Sequence, residues 1–348
     1  MKGDTSTEWN TGTFLKTVDT PKKEIDRRTV NADTNDCVRP DQPETGKLSS
    51  QVASPTQPVI VLGEVLWDLF DHARRLGGAP LNFGVHARRL GHEVSLISAV
   101  GNDELGDQAR GMIAALDLDT RFLQTTPLFP TGTASVHACT DGRIQFTIHR
   151  PAGYDAVELS ARTIELLKQD APAWCYFGTL FASTPQGKEV LDRLLAALPG
   201  AAKFYDLNLR PGSDSEQLVQ ELLQRADVVK LNEEELHRVH NFTGLPLNVP
   251  EFCRAGSERY NWRAVGVTLG ERGCAILADG QYVESVGHPV DVVDTVGAGD
   301  AFAAAFMHGL SLNWPATEIA SFANRVGALV ASRHGAIPDW TLEEAVSL

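Results

Sequence analysis

From Val59 onward the chain alternates short apolar runs with stretches whose apolar residues recur every three or four positions. The runs at 59–62, 93–100, 174–179, 203–208, 227–231, 264–269 and 274–278 read as buried strands. Helical spacing marks 80–90, 105–116, 184–197, 214–225, 232–241, 301–310, 316–333 and 341–347. Pro80 fits the first turn of its helix, and Gly91 ends that helix as a C-terminal cap. Strands separated by helices predict an α/β fold: a doubly wound, mostly parallel sheet with helices on both faces. Ligands of such sheets bind beyond the carboxyl ends of the strands. Asn102-Asp103, Asn208, Asn232, Gly270 and the turn 294–300, which follows an apolar β-like run, all fall at such ends.

Residues 133–150 break the rhythm. Ala134, Val136 and Ala138 alternate with mostly polar neighbours, as do Ile144, Phe146 and Ile148, with Asp141-Gly142 between the two runs. This predicts a β-hairpin with one apolar face. Two strands are not stable alone, so the face must cover a ligand cleft or a second subunit. A small β lid is therefore expected around 131–150, with 64–79 contributing, on a monomer or on a homodimer joined through the lid.

Composition narrows the class. The 348 residues are 43% hydrophobic and 22% charged, as in globular proteins. A net charge of −14 argues against nucleic acid or an anionic membrane as partner. No apolar run is long enough to span a bilayer. The five cysteines (Cys37, Cys139, Cys175, Cys253, Cys274) are widely spaced, with no C-x-x-C pair, so neither a disulfide framework nor a zinc site is indicated. A reducing compartment, the cytoplasm, is expected. Residues 1–56 are polar and hold nine acidic residues, unlike a signal peptide or presequence. They are expected to be a disordered tail, leaving 57–348 as the folded domain.

The chemistry concentrates in Asp294-Thr295-Val296-Gly297-Ala298-Gly299-Asp300, which opens a helix of small residues. Gly297, Ala298 and Gly299 permit a sharp turn with N–H groups left open at a helix N-terminus, where negative charge is favoured. Asp300 stands at the mouth of that nest. An anion hole with a base beside it suits phosphoryl transfer. The alternative is a plain turn with Asp300 as a partner of the helix dipole. No G-x-G-x-x-G opens the first α/β unit and no G-x-x-x-x-G-K-[ST] occurs, so neither a dinucleotide-binding dehydrogenase nor a P-loop enzyme is indicated.

Together with Gly77-Gly78-Ala79-Pro80-Leu81-Asn82 and the glycines at 91 and 101, this turn makes the chain from about 57 onward resemble the ribokinase-like carbohydrate kinases, and among them the bacterial fructokinases. Gly84 departs from the family's usual Ala, Ser or Thr, and Gly212-Ser213-Asp214 from the usual aromatic continuation of Asp206-Leu207-Asn208-Leu209-Arg210-Pro211. The resemblance implies transfer of the γ-phosphoryl of ATP to a sugar's primary hydroxyl, with fructose foremost and a 2-keto-3-deoxygluconate or nucleoside kinase, or a catalytically silent regulatory homologue, as rivals. It implies Asp300 as base and Gly297, Ala298 and Gly299 as anion hole. Asp68, Gly78 and Asn82 would hold sugar hydroxyls, with Asn102, Asp103 and Arg150 as further candidates. A solvated loop acid is the plain alternative for Asp68, a helix-start amide for Asn82, turn formation for Asn102 and Asp103, and an exposed arginine for Arg150. Asn208, Asn232, Thr268, Gly270, Gly273 and Asn324 would face the nucleotide. Glu235 would act on Mg2+ through water, although Asn232 and Glu235 also have the spacing of a capping box. Asp294 would meet a monovalent cation such as K+, or cap a turn.

Overall fold

A computed structural model of the chain describes residues 57–138 and 144–348. The expected tail and the Asp141-Gly142 turn lie outside the described residues. In chain order the strands are β1 (Pro58–Leu62), β2 (Leu66–Leu69), β3 (Arg74–Gly77), β4 (Glu93–Gly101), β5 (Leu123–Thr126), β6 (Gly132–Ala138), β7 (Ile144–His149), β8 (Trp174–Gly178), β9 (Ala202–Asp206), β10 (Val228–Asn232), β11 (Ala264–Thr268), β12 (Cys274–Ala278) and β13 (Gln281–Ser285). The α-helices are α1 (Ala79–Arg89), α2 (Glu104–Ala115), α3 (Ala161–Gln169), α4 (Thr179–Ala182), α5 (Pro185–Ala197), α6 (Glu216–Arg225), α7 (Glu233–Thr243), α8 (Val249–Tyr260), α9 (Ala298–Ser311), α10 (Ala316–Ala331) and α11 (Leu342–Ser347).

Nine strands form one sheet in the order β13-β12-β11-β10-β9-β8-β1-β4-β5. Every neighbouring pair is parallel except β11–β12 and β12–β13. Strand side chains alternate between faces, and here both faces are apolar. Val59, Val61, Trp174, Tyr176 and Phe204 enter the core beneath α1, α9 and α10. Ile60, Leu62, Cys175, Phe177 and Tyr205 enter the other, beneath α5, α6, α7 and α8. That is why the strand sequences are continuous apolar runs rather than alternating ones.

The lid is a separate four-stranded sheet, β3-β2-β6-β7. Its pairs are antiparallel except for β2–β6. Ala134 and Val136 are buried, as the alternation predicts.

Several expectations need correction. The apolar residues before residue 294 do not form a strand: 286–297 is irregular, and Val292 and Val293 are 64% and 46% exposed. Pro289 lacks an N–H for a ladder, and β13 is already the sheet's edge. Thr179 leaves its strand to open α4, its hydroxyl donating to the Leu207 carbonyl at 2.6 Å. The elements β5, β13, α3 and α8 were not anticipated. The two strands are short and half polar (LQTT, QYVES), so their period is hard to read.

The seat of α9 is set by one close approach. A Cβ at Gly266 of β11 would lie 2.8 Å from Phe306 Cε1, so glycine lets α9 settle on the sheet. Gly266→Val should destabilise the fold by about 1–3 kcal/mol. Combining it with Phe306→Leu should recover part of that loss, with a coupling above about 0.5 kcal/mol in denaturant melts. Strict additivity would rule out the direct contact as the cause.

Candidate active site

The turn before α9 has open amides. Gly297 adopts φ +82°, and a Cβ there would stand 2.4 Å from the Ala336 carbonyl oxygen, so only glycine fits. The Ala298 N–H reaches the Thr295 carbonyl at 3.3 Å. Among the described residues, the N–H groups of Gly297, Gly299 and Asp300 donate to no protein acceptor. Gly297, Ala298 and Gly299 are partly exposed, so an anion can reach those amides.

Asp300 is buried beside them. Asn82 Nδ2 of α1 donates to its Oδ2 at 2.8 Å, which brings the two glycine-rich signatures together. Burial and the nearby Asp206 carboxylate raise the Asp300 carboxyl to about 7, against the pull of Lys230, Asn82 and Arg210. Such a group can take a proton near neutral pH. Asp68 of β2 and Asn82 both face Gly77: a Cβ there would lie 2.9 Å from Asp68 Oδ2 and 3.9 Å from Asn82 Oδ1. Gly78, at φ +111°, lets the chain pass over the Glu64 carbonyl, 2.5 Å from where a Cβ would stand. Asp68, Gly78, Asn82 and Asp300 thus form one polar cluster of acceptors with an amide donor. Burial raises Asp68 to about 6.

Three further residues complete this cluster: Arg210, which the resemblance implied would face the cleft, and Glu64 and Asp206, which escape a reading of the sequence. Glu64 is buried, its Oε2 has no partner, and burial raises it to about 7. Asp206 is fully buried at the end of β9. It accepts from Lys230 Nζ at 3.1 and 3.3 Å and from the Tyr176 hydroxyl at 3.2 Å. Arg210 bears electrostatically on Glu64, Asp68, Asp206 and Asp300, and its guanidinium lies 5.9 Å from the Phe146 ring of the lid. The signal available for Asp206 was its place at the end of an apolar run. Glu64 offered only its position after β1.

A C-terminal strap, residues 333–340, ties α1 to the turn. His86 Nε2 meets the Ala336 carbonyl at 2.9 Å, and Trp340 Nε1 donates to His86 Nδ1 at 3.0 Å. This places the proton on Nε2. Burial outweighs the Ala336 hydrogen bond and lowers His86 to about 3, so the ring stays neutral.

Other candidates have structural duties. Asp294 caps its turn: its oxygens accept from Val296 N at 3.1 Å and Gly335 N at 3.0 Å, and from Arg75 of β3 at 2.9 Å. A cation on that side would have to displace Arg75. Asp103 caps α2 through Gly106 N and also accepts from Thr131 N and Oγ1. Burial would raise it, but those hydrogen bonds together hold it below its ordinary value. It is a turn-forming acid rather than a free sugar acceptor, and the Asn102 side chain is exposed. Arg150 is half-buried and held by Asp155, the Leu180 carbonyl and Ser183. It lines, with Phe146, Ile148, Leu180 and Arg210, a cavity of about 1100 Å³ to whose lining Asp300, Asp68 and Asn82 do not contribute.

On the nucleotide side, Asn232 and Glu235 form a capping box, each donating its N–H to the other's side chain at 2.8 Å. Glu235 Oε1 also accepts from Leu209 N, so each carboxylate oxygen holds one backbone N–H and keeps a second lone pair. Asn208 adopts φ +41° just past β9, and Thr268 ends β11 beside Asn232. Gly270 has open space around it, whereas a Cβ at Gly273 would meet the Ser285 oxygen at 2.0 Å. Asn324 is neither free nor solvated: its Nδ2 donates to the Ser285 and Val286 carbonyls at 3.1 and 3.2 Å. Among the described residues no group of three or more His, Cys, Asp or Glu side chains converges as a metal cage, and no helix is long and apolar enough to cross a membrane.

A doubly wound sheet with a β lid, open amides at a helix start and a buried carboxylate among polar acceptors are the frame of a phosphoryl-transfer enzyme. The chain belongs to the pfkB family of carbohydrate kinases, whose model matches residues 60–342. It is 30% identical to the fructokinase of Escherichia coli over 298 residues, 80% of this chain and 94% of that one. Among solved structures it resembles a Xylella fastidiosa fructokinase with bound ATP, at 25% identity and TM-score 0.71, covering 84% of this chain and 98% of that one. A fructokinase double mutant from Vibrio cholerae, in a form binding fructose, ADP and potassium, shares the fold at 24% identity and TM-score 0.71, covering 84% and 97%.

Asp300 also makes stability depend on pH. Its folded value, about 7, exceeds the ordinary 3.8, so its favourable contribution is complete below about pH 4 and is lost as pH rises through 7. Buried histidines pull the other way below neutrality, because burial lowers His86, His92 and His308. The comparison with Asp300→Asn removes their effect. The Tm of the variant minus that of wild type should grow between pH 5 and pH 8, then level off, at about 2–4 °C for every kcal/mol. A difference independent of pH would mean that Asp300 is not raised.

Proposed function

We propose that this carbohydrate kinase transfers the γ-phosphoryl group of ATP to the primary hydroxyl of fructose. The observation that carries this reading is the Asp300 carboxylate, hydrogen-bonded to Asn82 at 2.8 Å and adjoining amides that donate to nothing else among the described residues. Asp68, the backbone at Gly78 and Asn82 hold sugar hydroxyls and aim the primary one at Asp300. The base takes its proton as the oxygen attacks phosphorus. The free amides of Gly297, Gly299 and Asp300 receive the charge on the phosphoryl oxygens, and that of Ala298 can join them by leaving its 3.3 Å contact with Thr295. Arg210 and the lid residue Phe146 close the cleft over the reacting groups. Magnesium bound with ATP would supply positive charge to the β- and γ-phosphates, with Glu235 reaching it through water. Fructose is favoured over other sugars by the identity to a fructokinase over most of both chains.

An ADP-coupled assay over fructose, other hexoses, 2-keto-3-deoxygluconate and nucleosides should give the highest kcat/KM with fructose. Asp300→Asn should lower kcat by about a hundredfold or more. In wild type, kcat/KM should rise with pH to a plateau, with a midpoint near 7 set by the buried carboxyl. Turnover of Asp300→Asn at the wild-type rate would remove the base from the mechanism, and a clear preference for another acceptor would replace fructose.

A further inference from the structure

Lys230 breaks a rule of helix electrostatics. Cations stabilise helix C-termini and are unfavourable at N-termini. Yet the ammonium of Lys230, on β10, lies directly under the start of α9: a Cβ on Gly299 would stand 3.1 Å from its Nζ and 4.0 Å from its Cε. The side chain is 7% exposed, and its partner Asp206 is fully buried. Asp206 in turn is held by the Tyr176 hydroxyl, so the pair is fixed in the sheet. Burial disfavours the ammonium, but Asp206, Glu235 and Asp300 outweigh it and hold Lys230 charged. A buried pair of this kind is weak evidence for stability, since apolar replacements are often as good. A positive charge stacked on a positive helix end makes sense where negative charge arrives.

We propose that Lys230 is the floor of the anion turn: its ammonium, aimed by Asp206 at the underside of Gly299, stabilises the negative charge that gathers on the phosphoryl group during transfer. This rests on the phosphoryl-transfer reading above. Lys230 forms no bond and exchanges no proton. The bond between phosphorus and the leaving ADP oxygen breaks, the bond to the sugar oxygen forms, and the proton goes to Asp300. Lys230 is therefore a positioning residue for charge, acting through the turn. It also tunes the base. Asp300 is faced by Asn82 from α1, Lys230 from β10, Asp206 from the end of β9, Arg210 from the loop beyond it, Glu64 from beyond β1 and Tyr176 from β8. Of these, Lys230 and Arg210 are the cations.

The test replaces the pair as a unit. Lys230→Met with Asp206→Leu removes both members of the ion pair, leaving the Tyr176 hydroxyl without its acceptor, and the fold should survive with some loss of stability, as a melt would verify. The double variant should lose about tenfold or more in kcat, with the KM for ATP changed less than about threefold. Its affinity for ADP with aluminium fluoride, in the presence of sugar, should fall with kcat, while its affinity for a non-hydrolysable ATP analogue barely moves. The midpoint of its pH profile should fall, because the pair leaves together and Asp206 raises Asp300 more than Lys230 lowers it. Lys230→Arg, which keeps the charge, should retain more activity than Lys230→Gln, and this comparison decides the matter if the double variant fails to fold. A folded double variant with wild-type kcat and pH profile, or equal activity in the Arg and Gln variants, would reduce Lys230 to a structural partner. That result beside an inactive Asp300→Asn overturns only Lys230's role, whereas an active Asp300→Asn overturns the reading beneath it.

Discussion

A helix that starts with open amides and a buried carboxylate in its first turn is under electrostatic tension, and the surrounding structure holds it in that state. The first amides of any helix lack intrahelical partners. Usually a side chain caps them, as Ser160, Thr184, Ser215 and Asn232 do for α3, α5, α6 and α7. At α9 the cap is Gly297, which has no side chain to offer. The acid that a dipole would welcome, Asp300, is turned instead toward Asn82, among other carboxylates that raise its proton affinity. Such an arrangement loses stability in exchange for readiness to bind charge.

Rigid packing is what sustains it. The small residues of α9, with Phe302 and Phe306 among them, are buried along almost the whole helix. Gly266 lets Phe306 lie close on β11, and Ala336 fills the space that a side chain at Gly297 would take. Arg75 reaches from the lid to Asp294, at the foot of the same turn. The lid, the strap and the sheet therefore meet at one helix end.

The periodic parts of this design were legible in the sequence. Continuous apolar strands and helix-spaced stretches specified the parallel sheet, because both faces of each strand are buried. The two glycine signatures stood out because tight backbone approach leaves few choices of residue. What sequence could not convey was pairing. The same spacing in Asn232 and Glu235 serves a capping box and a binding motif, and only coordinates reveal which atoms meet. Asp103 and Asn324 have side chains fit for ligands but are already engaged with Thr131 and with the carbonyls beyond β13. Asp206 and Glu64 were overlooked because a charged residue at a strand end looks solvated until helices are packed over it. The valines near residue 292 carried β-character without a neighbouring strand to pair with.

The hydrogen bond from Asn82 to Asp300 spans 218 positions of the chain, and the contacts of His86 with Ala336 and Trp340 span 250 and 254. During vectorial synthesis the early helix must therefore wait, with the buried face meant for α9 uncovered, until residues 298–340 have been made. Loop closure over such distances is slow, and a chain released early has no partial catalytic centre to fall back on. The two halves of the site therefore become competent together, once α9 and the strap are both in place.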